Sequence, residues 1–123
     1  MALGAPALFH GCGPQAAVTP YEDAVRDLWR HGAVDRGDAD AVKRELVRYA
    51  TLAPSSHNTQ CWKFAIEPHA ITILPDLTRR CPAVDPDDHH LFVSLGCAAE
   101  NLVQAAHAQG LAATVGLEPA RGG

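Results

Sequence analysis

No apolar run in this chain approaches the ~20 residues needed to cross a bilayer as a helix, so no membrane span is expected. No C-x-x-C pair occurs. The four cysteines stand far apart, at positions 12, 61, 81 and 97, which excludes a zinc ribbon and a thioredoxin-type redox pair. Four scattered cysteines also make no disulfide scaffold. There is no run of lysine or arginine, and the net charge is −4. Nucleic acid and acidic membranes reward a basic patch, so neither is expected as a partner. Internal repeats and low-complexity segments are absent as well.

The 123 residues suffice for one small domain with its own core. Hydrophobic residues make up 47% and charged residues 20%, ordinary values for a globular protein. The first thirteen residues, MALGAPALFHGCG, are small and largely apolar and end near a Gly11-Cys12 pair. That pattern resembles the tail of a bacterial export leader with Cys12 as the lipidated residue. No positive charge precedes the apolar part, however, and Phe9-His10 replaces the usual residues before Gly-Cys. The expected location is cytoplasmic, with export or a lipid anchor through Cys12 as the alternative. Residues 1–18 are read as a tail or leader remnant, 19–117 as the domain and 118–123 as a second tail.

Helix signals open the domain. Thr19-Pro20-Tyr21-Glu22-Asp23 offers a cap, a first-turn proline and acids against the helix dipole, predicting a helix to about His31. Asp38 opens a second helix whose apolar face is Val42, Leu46, Tyr49, Ala50 and Ala53, ended by Pro54. Residues 62–66 and 69–74 are rich in strand formers around Glu67-Pro68, which predicts a β-hairpin. Asp85-Pro86-Asp87-Asp88 starts a long helix reaching Gln109, with Leu91, Leu95, Ala98, Leu102 and Ala105 as its buried stripe. Residues 111–117 read as a further strand. The order α-α-β-β-α-β implies an α+β (α/β layered) architecture, helices packed on a small sheet.

Between the second helix and the hairpin lies Ala53-Pro54-Ser55-Ser56-His57-Asn58-Thr59-Gln60-Cys61-Trp62. Such polar density between ordered elements suits a ligand-gripping loop. Equally, Ser and Asn after a proline often serve as plain turn or cap residues. The stretch resembles the Pro-Ser-Ser-x-Asn-x-Gln-Pro-Trp segment of the FMN-dependent nitroreductase superfamily. Two further landmarks follow in order. One is Ile73-Leu74-Pro75-Asp76 with Arg79 or Arg80 and then Asp85-Pro86. The other is Ser94-Leu95-Gly96-Cys97-Ala98-Ala99-Glu100-Asn101-Leu102, then Ala105-Ala106 and Gly110. The set is similar to the N-terminal half of the subgroup that joins two nitroreductase-like halves in one chain, and covers roughly residues 38–115.

The resemblance implies a partial nitroreductase-like domain with FMN as cofactor, NAD(P)H as hydride donor and nitro, quinone or similar electrophiles as acceptors. It implies that Pro54, Ser55, Ser56, Asn58 and Gln60 border the flavin. It implies also that a second subunit, as a homodimer, or a missing C-terminal half completes the site. An isolated chain would then be weak or inactive as an oxidoreductase. The alternative is a non-catalytic flavin-binding or sequestering module, or a decayed fragment retaining only the fold. Cys61 replaces the family proline before Trp62, and no basic-x-Ser phosphate motif follows Arg26, Arg30 or Arg36. The small residues Gly96, Ala98 and Ala99 leave the long helix thin, which predicts close approach of a partner. Trp62 and Cys97 read as core. His89 and His90 read as a solvated pair, since adjacent helical residues diverge by about 100°. No metal site or catalytic side chain is signalled.

Overall fold

The computed structural model describes residues 19–117. The leader-like stretch, its Cys12 and the C-terminal tail lie outside them. Three helices and a two-stranded antiparallel sheet make an α+β architecture: α1 (Pro20–Trp29), α2 (Ala39–Ala50), β1 (Trp62–Ile66), β2 (Ile71–Pro75) and α3 (His89–Ala108), with short 3₁₀ turns at Ser56–Asn58 and Leu77–Arg79.

The helix starts follow from local chemistry. Thr19 and Glu22 form a reciprocal capping box around Pro20: Glu22 N–H donates to Thr19 Oγ1 at 3.2 Å, and Thr19 N–H to Glu22 Oε2 at 2.8 Å. Asp38 caps α2 by accepting from the N–H groups of Asp40 and Ala41 at 3.0 and 2.9 Å. The last turn of α2 tightens. Leu52 N–H donates to Tyr49 O and Ala53 N–H to Ala50 O, and Pro54, with no N–H, stops the run. α1 ends at Trp29, two residues before the expected His31. The Arg48 guanidinium takes up the Leu28 carbonyl there, and His31 leaves the helix to meet the Tyr49 hydroxyl at 3.1 Å.

The start of α3 differs in detail from a side-chain cap at the adjacent residue. Asp88 occupies the cap position in a left-handed conformation, φ 57°, and its side chain caps nothing. The acid that serves the helix is the buried Asp85, whose carboxylate accepts the Leu91 N–H at 3.0 Å. Burial alone would raise the Asp85 pKa. Hydrogen bonds from the backbone of His90 and Leu91, and the nearby His90 ring, outweigh it, so the carboxyl sits below its ordinary value.

α2 and α3 pack antiparallel, because Val42 and Leu46 of one meet Ala105 and Ala106 of the other while Ala50 meets Ala98. Leu102 joins both groups. Trp62, Phe64 and Ile73 close the second group from the hairpin side. Hence Trp62 is core, as expected, and Cys97 packs against the same cluster as a small apolar side chain. In α3, Ala98 is fully buried while Gly96 faces open space.

The hairpin register pairs Trp62 with Pro75, Phe64 with Ile73 and Ile66 with Ile71. The second strand starts at Ile71 rather than His69, because residues 67–70 make the turn, with Glu67 N–H donating to Ala70 O at 2.9 Å. The expected strand at 111–117 is not formed. A strand requires a ladder partner, and this segment has no strand beside it among the described residues; Leu111 N–H instead closes the end of α3 on Ala106 O at 2.9 Å. Only Ala113 is tucked in, against the Val42 cluster.

Candidate functional site

The loop between α2 and β1 is held in an unusual backbone conformation. His57, Asn58 and Gln60 have φ of 51°, 53° and 48°, the left-handed region that side chains with a Cβ rarely adopt. Each such residue costs on the order of 1–2 kcal/mol. Asn and His adopt it more readily than most residues, Gln less.

Interactions from beneath fix this shape. The Ser55 hydroxyl accepts the Gln60 N–H at 2.9 Å, closing the loop across five residues. Ser94 of α3, buried, accepts the Ser56 N–H at 3.1 Å and donates its own hydroxyl to His90 O at 2.6 Å. Arg79 reaches the Thr59 carbonyl at 3.1 Å. Cys61 is 1% exposed, and its Sγ lies 3.8 Å from Leu91 O. A thiol so enclosed is a packing group and offers no approach to a substrate.

The five residues expected to border a cofactor are thus adjacent but not equivalent. Pro54 is exposed and ends α2. Ser55 accepts the Gln60 N–H through one lone pair, and its own O–H donates to nothing among the described residues. Ser56 is anchored by its backbone, leaving its hydroxyl free. Asn58 and Gln60 are exposed. Among the described residues, the side chains of Ser56, His57, Asn58 and Gln60 make no hydrogen bond, so the loop turns its donors and acceptors outward. Ser94 and Arg79 stand in the family-like landmarks of the sequence, but their hold on this loop was not legible there. Both contacts span long sequence separations.

Beside Gln60 a groove of about 510 Å³ runs along β1, with Trp62 and Phe64 on one wall and Val47 and Thr51 of α2 on the other. At its mouth the buried Asp76 accepts from Thr78 Oγ1 at 2.7 Å and pairs with Lys63 at 3.1 Å and Arg79 at 3.7 Å. Thr78 and then Lys63 hold the Asp76 carboxyl below its ordinary value. One carboxylate facing two cations leaves a net positive mouth. No group of three or more His, Cys, Asp or Glu side chains among the described residues is placed to hold a metal ion. No helix among them is long and apolar enough to cross a membrane.

Over 84 residues the chain is 36% identical to two Mycobacterium tuberculosis proteins, from strains CDC 1551 / Oshkosh and ATCC 25618 / H37Rv. Both carry the provisional name NAD(P)H nitroreductase. The chain is similar in sequence to nitroreductases. The match covers 67% of this chain and 24% of each relative, so the chain spans about a quarter of the length of the relatives it matches. No protein-family profile matches the chain, and no solved structure does.

Proposed function

We propose that residues 19–117 form the flavin-contacting part of a nitroreductase-like site, with FMN as the bound group. Ser55, Ser56, Asn58 and Gln60, after Pro54, face its polar parts. The observation that carries this reading is the strained loop with outward, unpartnered polar groups. Three non-glycine residues at positive φ persist only where the surroundings over-determine them, and such strain concentrates at ligand sites. The residue types fit the group. An isoalloxazine edge mixes donors and acceptors, which Asn and Gln amides match in both senses. The positive mouth beside Gln60 suits an anionic substituent. Bound FMN would supply two-electron transfer between reduced nicotinamide and an electrophilic acceptor such as a nitro or quinone compound. The chain itself binds and orients; no side chain of the loop is needed as an acid or base. The similarity to proteins named for NAD(P)H supports a nicotinamide donor.

A second reading is favoured by the missing basic-x-Ser motif: a flavin-binding module without turnover. One experiment separates the two. Protein purified from cells and passed over a gel-filtration column in FMN-containing and FMN-free buffer is examined for flavin absorption. The proposal expects flavin to co-elute when it is supplied. Nicotinamide oxidation by that complex marks an enzyme, whereas bound flavin without oxidation marks the module. A chain that rejects added FMN contradicts both.

A further inference from the structure

No residue of α1 is buried, although the helix sorts its side chains by polarity without exception. At 100° per residue Tyr21, Ala24, Val25, Leu28 and Trp29 fall within one arc of about 140°. Glu22, Asp23, Arg26 and Asp27 fill the arc opposite. Ten residues with no buried face make a marginal helix in water, even with the Thr19–Glu22 capping box. The hold of α1 on the body is polar and sits at one end. The Arg48 guanidinium takes the Leu28 carbonyl, and His31 meets the Tyr49 hydroxyl. Tyr21 is 76% and Trp29 60% exposed, and Val25 and Leu28 are open as well. Nothing among the described residues buries the apolar arc.

Three observations point to what meets that arc. Tyr21 and Trp29 each carry an apolar ring with a polar tip, the side chains that favour the headgroup level of a bilayer. The eighteen residues directly before the cap at Thr19 contain no Asp, Glu, Lys or Arg and include Leu3, Leu8 and Phe9. The chain entering α1 therefore brings apolar side chains and no charged side chain that must be kept in water. The polar arc, finally, bears three acids against one arginine and no lysine. A helix that lies on anionic lipid shows the reverse, a basic polar face. The charge thus selects lipid without net charge.

We propose that α1 lies in the surface of a membrane of zwitterionic lipid. Tyr21, Val25, Leu28 and Trp29 enter the boundary between headgroups and acyl chains, and Glu22, Asp23 and Asp27 stay toward water. Such contact crosses no bilayer, and it depends neither on FMN nor on a lipid at Cys12. The full chain, with Cys12→Ser to exclude a covalent lipid, is sedimented with two kinds of vesicle. One is phosphatidylcholine; the other is equimolar phosphatidylcholine and phosphatidylglycerol. Tryptophan emission and amide exchange are followed in parallel. Trp62 is buried, so a change of emission reports Trp29. The chain is expected to sediment with phosphatidylcholine, its emission moving to shorter wavelength. The α1 amides then slow while those of α2 and α3 stay as in buffer. Phosphatidylglycerol is expected to weaken the partition. Trp29→Ser should lower it about tenfold, the loss of one large apolar side chain from the contact. Unchanged exchange in α2 and α3 checks that this variant keeps the fold. Asp27→Lys should leave the partition to phosphatidylcholine as it is and relieve the effect of phosphatidylglycerol. A chain that ignores phosphatidylcholine would overturn the proposal and leave the face to a protein partner. So would binding that Trp29→Ser does not weaken, α1 amides that vesicles do not slow, a preference for phosphatidylglycerol, or an effect of phosphatidylglycerol that Asp27→Lys does not relieve.

Discussion

Ser94 shows how one buried hydroxyl can set a loop. It takes the Ser56 N–H and returns a hydrogen bond to His90 O, joining the strained loop to the first turn of α3. Ser94→Ala leaves a half-buried N–H without its partner. The expected loss is about 1–3 kcal/mol of unfolding free energy, read from urea denaturation. Gln60 offers the opposite case. Its φ of 48° is a cost that glycine does not bear. Gln60→Gly is expected to raise stability by roughly 0.5–1 kcal/mol, strain relief partly offset by unfolded-state entropy. The same change is expected to weaken FMN binding. Asp85 sets the acid behaviour. Its folded carboxyl has a pKa below the ordinary value of 3.8, so the folded state binds fewer protons in acid than the unfolded state. The stabilisation is complete above that value and fades as pH falls through the lowered one. Asp85→Asn is expected to lower the thermal midpoint at neutral pH and to flatten its fall below pH 4.

Among the elements, the starts were the most legible. Thr19-Pro20 and Asp38 act through side chains one to three residues away, so the sequence carries their whole cause. The α2 and α3 stripes were legible for the same reason, as a 3.6-residue period on a helix whose other face meets water. Ser94 was not, because a polar residue in a buried position is explained only by its partner across the fold, whereas Asp85 was legible as part of the α3 start but not as the buried acceptor of the Leu91 N–H. The strand expected at 111–117 rested on alternation alone, and a strand has no hydrogen bonds until another strand supplies them. α1 is the converse. Its signals predict a helix correctly, yet none of its ten residues is buried, and a lone helix that short is marginal in water. Its amides are expected to exchange far faster than those of α2 and α3, checked by native-state hydrogen exchange.

For the molecule as a whole, sequence and geometry meet at residues 53–62. The resemblance named the loop; in the structure Ser55 accepts one hydrogen bond within it, while the side chains of Ser56, Asn58 and Gln60 bond to nothing among the described residues. On the proposed reading this chain, which spans about a quarter of its relatives' length, supplies only part of a flavin site. Its oxidation of NADH or NADPH with nitroaromatics should accordingly be slow. Fluorescence titration of FMN against the wild type, Asn58→Ala and Ser56→Ala, with the exposed His89→Ala as control, tests the central claim most directly. Loss of either unpartnered group should weaken binding by ~1–3 kcal/mol, roughly five- to 150-fold, with His89→Ala unchanged. Equal affinities across all four proteins, or no binding by any, would contradict the assignment of this loop to the flavin.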